Sequence, residues 1–165
     1  MFMAHTVTSN AAGRPDPRVE IRVELSAGLI SSAIIAITSV FVLDQERALA
    51  FYVGKLGFVV QDDVDMGFMR WLTIALPSEP QRQLVLEVPG AAGGSPETTA
   101  AQRDLVTKGA MGVACILNTD DCRGTYEALR AKGVEFTEEP QEQPYGIDCA
   151  LRDPFGNPVR ITELR

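Results

Sequence analysis

The chain has 165 residues, 45% of them apolar, enough for one core. A net charge of −7 leaves no concentrated basic face to displace counterions from a nucleic acid, so no nucleic-acid partner is expected. Cys115, Cys122 and Cys149 are odd in number and lack C-x-x-C spacing. They make neither a disulfide framework nor a zinc knuckle, and fit a reducing, cytoplasmic setting.

Residues 1–18 are small, polar and proline-bearing, and bury too little apolar surface to offset the entropy of ordering them. "VEIRVEL" (residues 19–25) alternates Val19, Ile21, Val23 and Leu25 with charged residues, the period of a half-buried strand. It either adds an edge strand or belongs to upstream sequence. We treat residues 1–33 as an N-terminal extension. The apolar run "LISSAIIAITSVFVL", ending at Leu43, is broken by Ser and Thr and is shorter than the roughly 20 residues a spanning helix needs, so no membrane anchor is expected. The mixed charge between Gly13 and Glu24 does not fit a secretory leader.

From residue 34 the pattern sharpens. "AITSVFVL" reads as a strand, Asp44 stands where a helix N-cap belongs, and "QERALAFYVGKL" has helical spacing of Leu49, Tyr52 and Leu56 before Gly57 stops it. "FVVQDDV", "FMRWLTIAL" and "RQLVLEV" are strand-like runs separated by turn signals. A Gly/Ala/Pro-rich linker (89–110) carries a helix from Pro96 to about Lys108, capped by Ser95. The order then returns: strand "GVACILN", helix "DCRGTYEALRAK" capped by Asp120 and stopped by Gly133, and strands "VEFTEE", "GIDCALR" and "PVRITEL". Asp44 to Asp120 and Gly57 to Gly133 both give an offset of 76 residues, so we read an internal repeat, module one 34–88 and module two 111–165.

The stretches "VFVLDQERALAFYVGKLGF", "TDDCRGTYEALRAKGVEF" and "DPFGNPVRI", in that order, resemble the glyoxalase/bleomycin-resistance/extradiol-dioxygenase superfamily, the vicinal oxygen chelate proteins. The resemblance covers residues 34–165. It implies an α+β fold of two tandem βαβββ modules whose sheets form a cupped, barrel-like surface, with ligand inside and helices outside. It also implies a homodimer.

Strand alternation says which residues face the cup. Leu84, Leu86 and Val88 share the helix side, which leaves Glu87 inward, and Val159 and Ile161 likewise leave Arg160 inward. In the first strands Ile37, Ser39 and Phe41 face inward, and the offset carries them to Val113, Cys115 and Leu117. Metal-dependent members of the family place His, Gln or Glu in the first and last strand of each module. The corresponding residues here are Ile37, Glu87, Val113 and Arg160, of which only Glu87 coordinates, and the one histidine, His5, lies in the extension. The expectation is a chain without metal or other cofactor. In it Glu87 and Arg160 either satisfy each other as a buried pair, or Arg160 offers a forked donor to a small organic, even anionic, ligand while Glu87 holds it or acts as a base.

Three functions fit. One is a small-molecule binder with Arg160, Glu87, Ile37, Val113, Cys115 and Phe41 lining the cavity. The second is an enzyme, either a metal-free lyase or isomerase using Glu87 or a glyoxalase- or dioxygenase-like metalloenzyme with other ligands. The third is a partner protein whose cavity is filled by its own side chains. Arg70 and Trp71 point to opposite faces, so at most one lines the cup. Tyr52 and Tyr126 read as core, and so does Trp71. Of Asp148 and Cys149 one faces the cavity. The Asp153–Asn157 turn reads as structural with positive φ at Gly156, and Glu135, Glu138, Glu139 and Glu142 read as a solvated edge.

Overall fold

Within residues 33–165, which are those the computed structural model describes, each half of the repeat folds as a strand, a helix and three further strands. The first half is β1 (Ile37–Phe41), α1 (Gln45–Tyr52), β2 (Val59–Asp65), β3 (Arg70–Ala75) and β4 (Gln83–Glu87). After α2 (Pro96–Thr107) the second half is β5 (Cys115–Asn118), α3 (Cys122–Ala131), β6 (Phe136–Gln143), β7 (Gly146–Arg152) and β8 (Pro158–Leu164). The readings of 1–18 and 19–25 lie outside the described residues. The two four-stranded sheets are ordered β1-β4-β3-β2 and β5-β8-β7-β6, with β1 parallel to β4, β5 parallel to β8 and the other pairings antiparallel. The expected α+β tandem is present. Its sheets are separate and do not close into a barrel.

The helix starts follow from capping chemistry. The Asp44 carboxylate accepts from the Arg47 amide at 2.8 Å, and Ser95 Oγ accepts from the Thr98 amide at 3.2 Å just before Pro96. At α3 the cap is Asp121, accepting from the Gly124 amide at 2.7 Å, and not Asp120. Glu163 of β8 also takes the Cys122 amide at 2.9 Å. The caps are therefore offset by 77 residues while the stopping glycines are offset by 76. That single residue inverts the facing of β5, because side chains alternate with period two.

One hydrophobic cluster joins both halves. Val40, Val42, Leu72, Ile74 and Leu86 of the first sheet and Leu151, Val159 and Ile161 of the second pack with Phe51, Tyr52 and Tyr126 from the helices. Burying each such side chain contributes about 1.5–3 kcal/mol. The opposite sheet faces are the cups.

The edge strands β1 and β5 lie along the seam between the halves, and the turn after β7 closes one end of it. Buried Asp153 accepts from the Tyr52 hydroxyl (3.0 Å), the Phe155 and Asn157 amides (2.9 Å each) and Asn157 Nδ2 (2.8 Å). Asn157 Nδ2 also donates to the Phe41 carbonyl at 2.7 Å, and the Arg47 guanidinium lies over the Phe155 ring. Burial, then Asp153, raises the Tyr52 pKa, so its hydroxyl stays a donor. Gly156 has φ +103°, and a Cβ there would lie 3.1 Å from the Val106 and Thr107 carbonyl oxygens. The turn is thus the joint between the modules as well as a chain reversal.

Candidate functional site

In the first cup, β3 and β4 set the floor. Thr73 and Val85 are paired across the strands and buried, and Trp71 and Glu87 stand two residues away on the same face, each half-buried. Arg70 is on the other side, held by Asp63 (2.6 and 2.8 Å) and by Glu46 of α1 (2.6 Å). Trp71, read from the sequence as core, is therefore the member of that pair that faces the cup. Thr73 Oγ1 accepts from the Asp62 amide (3.1 Å) and donates to its carboxylate (2.9 Å), which pins the bulge between Val60 and Asp62. Glu87 pairs with Phe41 in register, and its backbone carbonyl accepts from the Val42 amide. Its carboxylate has no hydrogen bond or ion pair among the described residues.

The second cup is closed electrostatically. Arg160 Nε donates to Asp148 Oδ2 at 3.0 Å, Nη2 donates to Asp148 Oδ1, and Nη2 also reaches Glu138 Oε2 at 3.0 Å. Asp148 is only 2% exposed and lies on β7, diagonal to Arg160 on β8, where Ala150 is the direct partner. The Asp148 bond is the main cause of a further raised Arg160 pKa. The pair expected between Arg160 and Glu87 is thus replaced by pairing within one module. Strands of one sheet lie about 4.8 Å apart, so a neighbouring carboxylate reaches the guanidinium before one in the other module does. The acidic run lies exposed on the edge strand β6, the solvated edge expected, and its carboxylates carry bonds as well: Glu138 binds Arg160, Glu139 accepts from the Tyr126 hydroxyl at 3.1 Å, and Glu142 pairs with Arg123 and Arg165.

The remaining expected wall residues divide. Cys115 and Leu117 pair with the core residues Val159 and Ile161 and pack against the cluster, so Cys115 does not face the cup. Ile116 and Asn118 share the Arg160 face instead, and Thr162 Oγ1 donates to Asn118 Oδ1 at 2.6 Å. Burial, helped by Asp153, pushes the Cys115 thiol up to about 12. Cys122 and Cys149 are buried with their sulfurs 3.7 Å apart, and both thiols are raised chiefly by burial. Ile37 is exposed at the start of β1, Val113 is exposed before β5 begins and so is not a strand residue, and Phe41 is half-buried against the core. Asp148 and Glu138 were not singled out from sequence as partners of Arg160. The available signal was that an inward arginine on the last strand needs an acid on the strand beside it, and Asp148 stands there.

Among the described residues no three His, Cys, Asp or Glu side chains converge as a metal-holding group. The donor set at the family's strand positions is one carboxylate, Glu87, and a guanidinium already bound to two carboxylates, which does not fit a divalent cation.

Two βαβββ modules back to back, each with a cup lined by its last strand, define a class of paired-module proteins. The profile of the Glyoxalase/Bleomycin resistance protein/Dioxygenase superfamily matches residues 34–161, and the chain belongs to that superfamily. The uncharacterized protein YurT of Bacillus subtilis (strain 168) is 33% identical over 129 residues, spanning 78% of this chain and 98% of its own. The crystal structure of UcmS2 is 41% identical with a TM-score of 0.74, over 79% of this chain and 97% of that one. TnmS3, an antibiotic binding protein from Streptomyces sp. CB03234, is 28% identical with a TM-score of 0.63, over 81% of this chain and 97% of its own.

Proposed function

We propose that the protein binds a small organic molecule in its cups without a resident metal, and that the ligand is neutral or cationic. The observation that carries this reading is the capture of Arg160 by Asp148 and Glu138, which leaves Glu87, unpaired among the described residues, as a cup-facing charge to meet a ligand. An anionic ligand, one expectation from Arg160, would have to displace two carboxylates already in place. Trp71 beside Thr73 offers a flat apolar surface with polar groups near it, the usual make-up of a ligand site. The likeness to TnmS3, an antibiotic binding protein, supports a binder.

Self-association as a homodimer belongs to the same reading. Val60, Val64, Met66 and Phe68, along β2 and its turn, are exposed apolar side chains that a second copy would cover. So does a cytoplasmic setting, in keeping with three free thiols. No helix among the described residues is long and apolar enough to cross a membrane.

Calorimetric titration with a matched trio tests the ligand class: 2-naphthylmethylammonium, 2-naphthol and 2-naphthalenesulfonate. Binding of the first two, weakened by Trp71→Ala, is expected. Preference for the sulfonate, or no heat with any of the three, overturns the reading. Glu87 is also the carboxylate free to act as a base, and turnover of a bound ligand that is lost in Glu87→Gln would establish an enzyme instead.

A further inference from the structure

Module two holds two cysteines that take no part in either cup. Cys122 is the first residue of α3 and Cys149 lies in the middle of β7, 27 residues further along the chain. Both side chains are fully buried, both thiols are free, and their sulfurs stand 3.7 Å apart. Cys149 is on the core face of β7, paired in register with Ile161 of β8, and the Cys122 sulfur also lies 3.5 Å from the Ile161 carbonyl oxygen. The helix start therefore rests on the sheet through one sulfur set against another. Cys115 stands apart from them on β5, beside Tyr52 and Asp153.

Two thiols in van der Waals contact are one small movement from a disulfide, in which the sulfurs are about 2.05 Å apart. The partner free to make that movement is α3. The first amides of a helix have no intrahelical acceptor, and here they are fastened by side chains: Glu163 accepts from the Cys122 amide at 2.9 Å and exposed Asp121 from the Gly124 amide at 2.7 Å. An end held in this way opens more readily than the strands beneath it. While it is closed, burial shields both sulfurs from dissolved oxidants; when it opens, Cys122 is the sulfur that comes within reach.

We propose that Cys122 and Cys149 form an oxidation site, at which a hydroperoxide converts the two thiols to an intramolecular disulfide. The Cys122 sulfur takes the terminal oxygen of the peroxide as the O–O bond breaks, giving a sulfenic acid and an alcohol, or water where the oxidant is hydrogen peroxide. The Cys149 sulfur then bonds to the sulfenic sulfur, the S–O bond breaks, and the hydroxyl leaves with the Cys149 proton as water. Two electrons pass from the pair of thiols to the peroxide. Because the second thiol is already in contact, closure outruns the attack of a second peroxide that would carry Cys122 on to the sulfinic acid. The bond ties α3 to β7, the strand whose Asp148 holds Arg160 on its opposite face, and a thiol reductant undoes it. In a reducing setting such a disulfide is transient.

The test treats the full chain with hydrogen peroxide, unfolds it, labels it with N-ethylmaleimide and maps the peptides by mass. Labelled thiols should fall from three to one, with Cys122 linked to Cys149, and dithiothreitol should restore all three. The oxidised chain should also unfold at higher urea than the reduced one, since the link closes a long loop. Cys149→Ser should accumulate a sulfenic acid at Cys122 that dimedone traps, and Cys115→Ser should close as readily as the unaltered chain. The peptide map of the unaltered chain decides the matter even if a variant fails to fold. Three labelled thiols after peroxide, a link that involves Cys115 or a second chain, or sulfinic acid at Cys122 in place of the link would overturn the proposal. So would the same mixture of pairings from folded and urea-unfolded chain, because the contact in the fold would then have no part in the reaction.

Discussion

The two modules share a topology and differ in how far each has satisfied itself. Module two closes its own polar groups: Arg160 is bonded to Asp148 and Glu138, Thr162 to Asn118, and its last turn anchors onto module one through Asp153 and Asn157. Module one leaves three features open, the Glu87 carboxylate, the Gln83 carbonyl oxygen and the connection from Leu76 to Arg82. The difference suggests a division of labour in which the closed half supplies rigidity and the open half supplies binding chemistry. Each prediction below attacks one side of that contrast.

The largest effect is expected at the joint. Asp153→Ala removes the acceptor of four hydrogen bonds in a buried site and strands the Tyr52 hydroxyl, so urea unfolding should show a loss of about 4 kcal/mol. Tyr52→Phe, which removes a single bond, should cost about 1 kcal/mol. If Asp153→Ala lost less than that, the turn would not be what holds the modules together.

Next comes the ion cluster. Arg160→Met leaves Asp148 uncompensated in a site with almost no solvent, at a cost of roughly 3 kcal/mol. Combining it with Asp148→Asn should recover a good part of that loss, since the buried charge goes too. A fully additive pair would mean that the two side chains do not share an environment, contrary to the bidentate geometry.

Much of this contrast could be read from the residues, and the rest could not for identifiable reasons. Helix, stop and three strands were legible twice over and the helix cap once, at Asp44, and so was the inward facing of Glu87 and Arg160, because caps, glycines and period-two alternation are local signals. The facing of β5 was misread because Asp120 and Asp121 are adjacent and either suits a cap. The choice depends on which one reaches the Gly124 amide. The partner of Arg160 was misassigned because sequence gives facing but not distance. The neighbouring strand outcompetes the other module, and only the register of β7 against β8 shows that.

A smaller effect is expected at the seam. Gln83→Met removes a buried oxygen without a partner, so the ligand-free protein should be unchanged or more stable by about 1 kcal/mol in urea unfolding. A loss of stability would show that the amide is satisfied, and would weaken the claim that module one is the open half. The pH dependence has a fixed sign. Folding raises the Cys115 thiol from 9.0 to about 12, so the stability it carries is complete below about pH 9 and is lost as pH rises through about 12. Cys115→Ala should flatten that alkaline decline.

The smallest effect is expected at Glu87. Its carboxylate is half-buried and has no partner among the described residues, so Glu87→Gln breaks no bond and should change stability by less than about 0.5 kcal/mol. For the same reason it should add to Arg160→Met without coupling: with no shared bond, the double variant should lose what the two singles lose. A coupling above about 1 kcal/mol would mean that the two side chains meet, and Arg160 would then serve both modules. Additivity together with weakened binding of 2-naphthylmethylammonium would place the role of Glu87 in recognition rather than folding. That combination is the outcome expected of a residue that module one keeps free for a ligand.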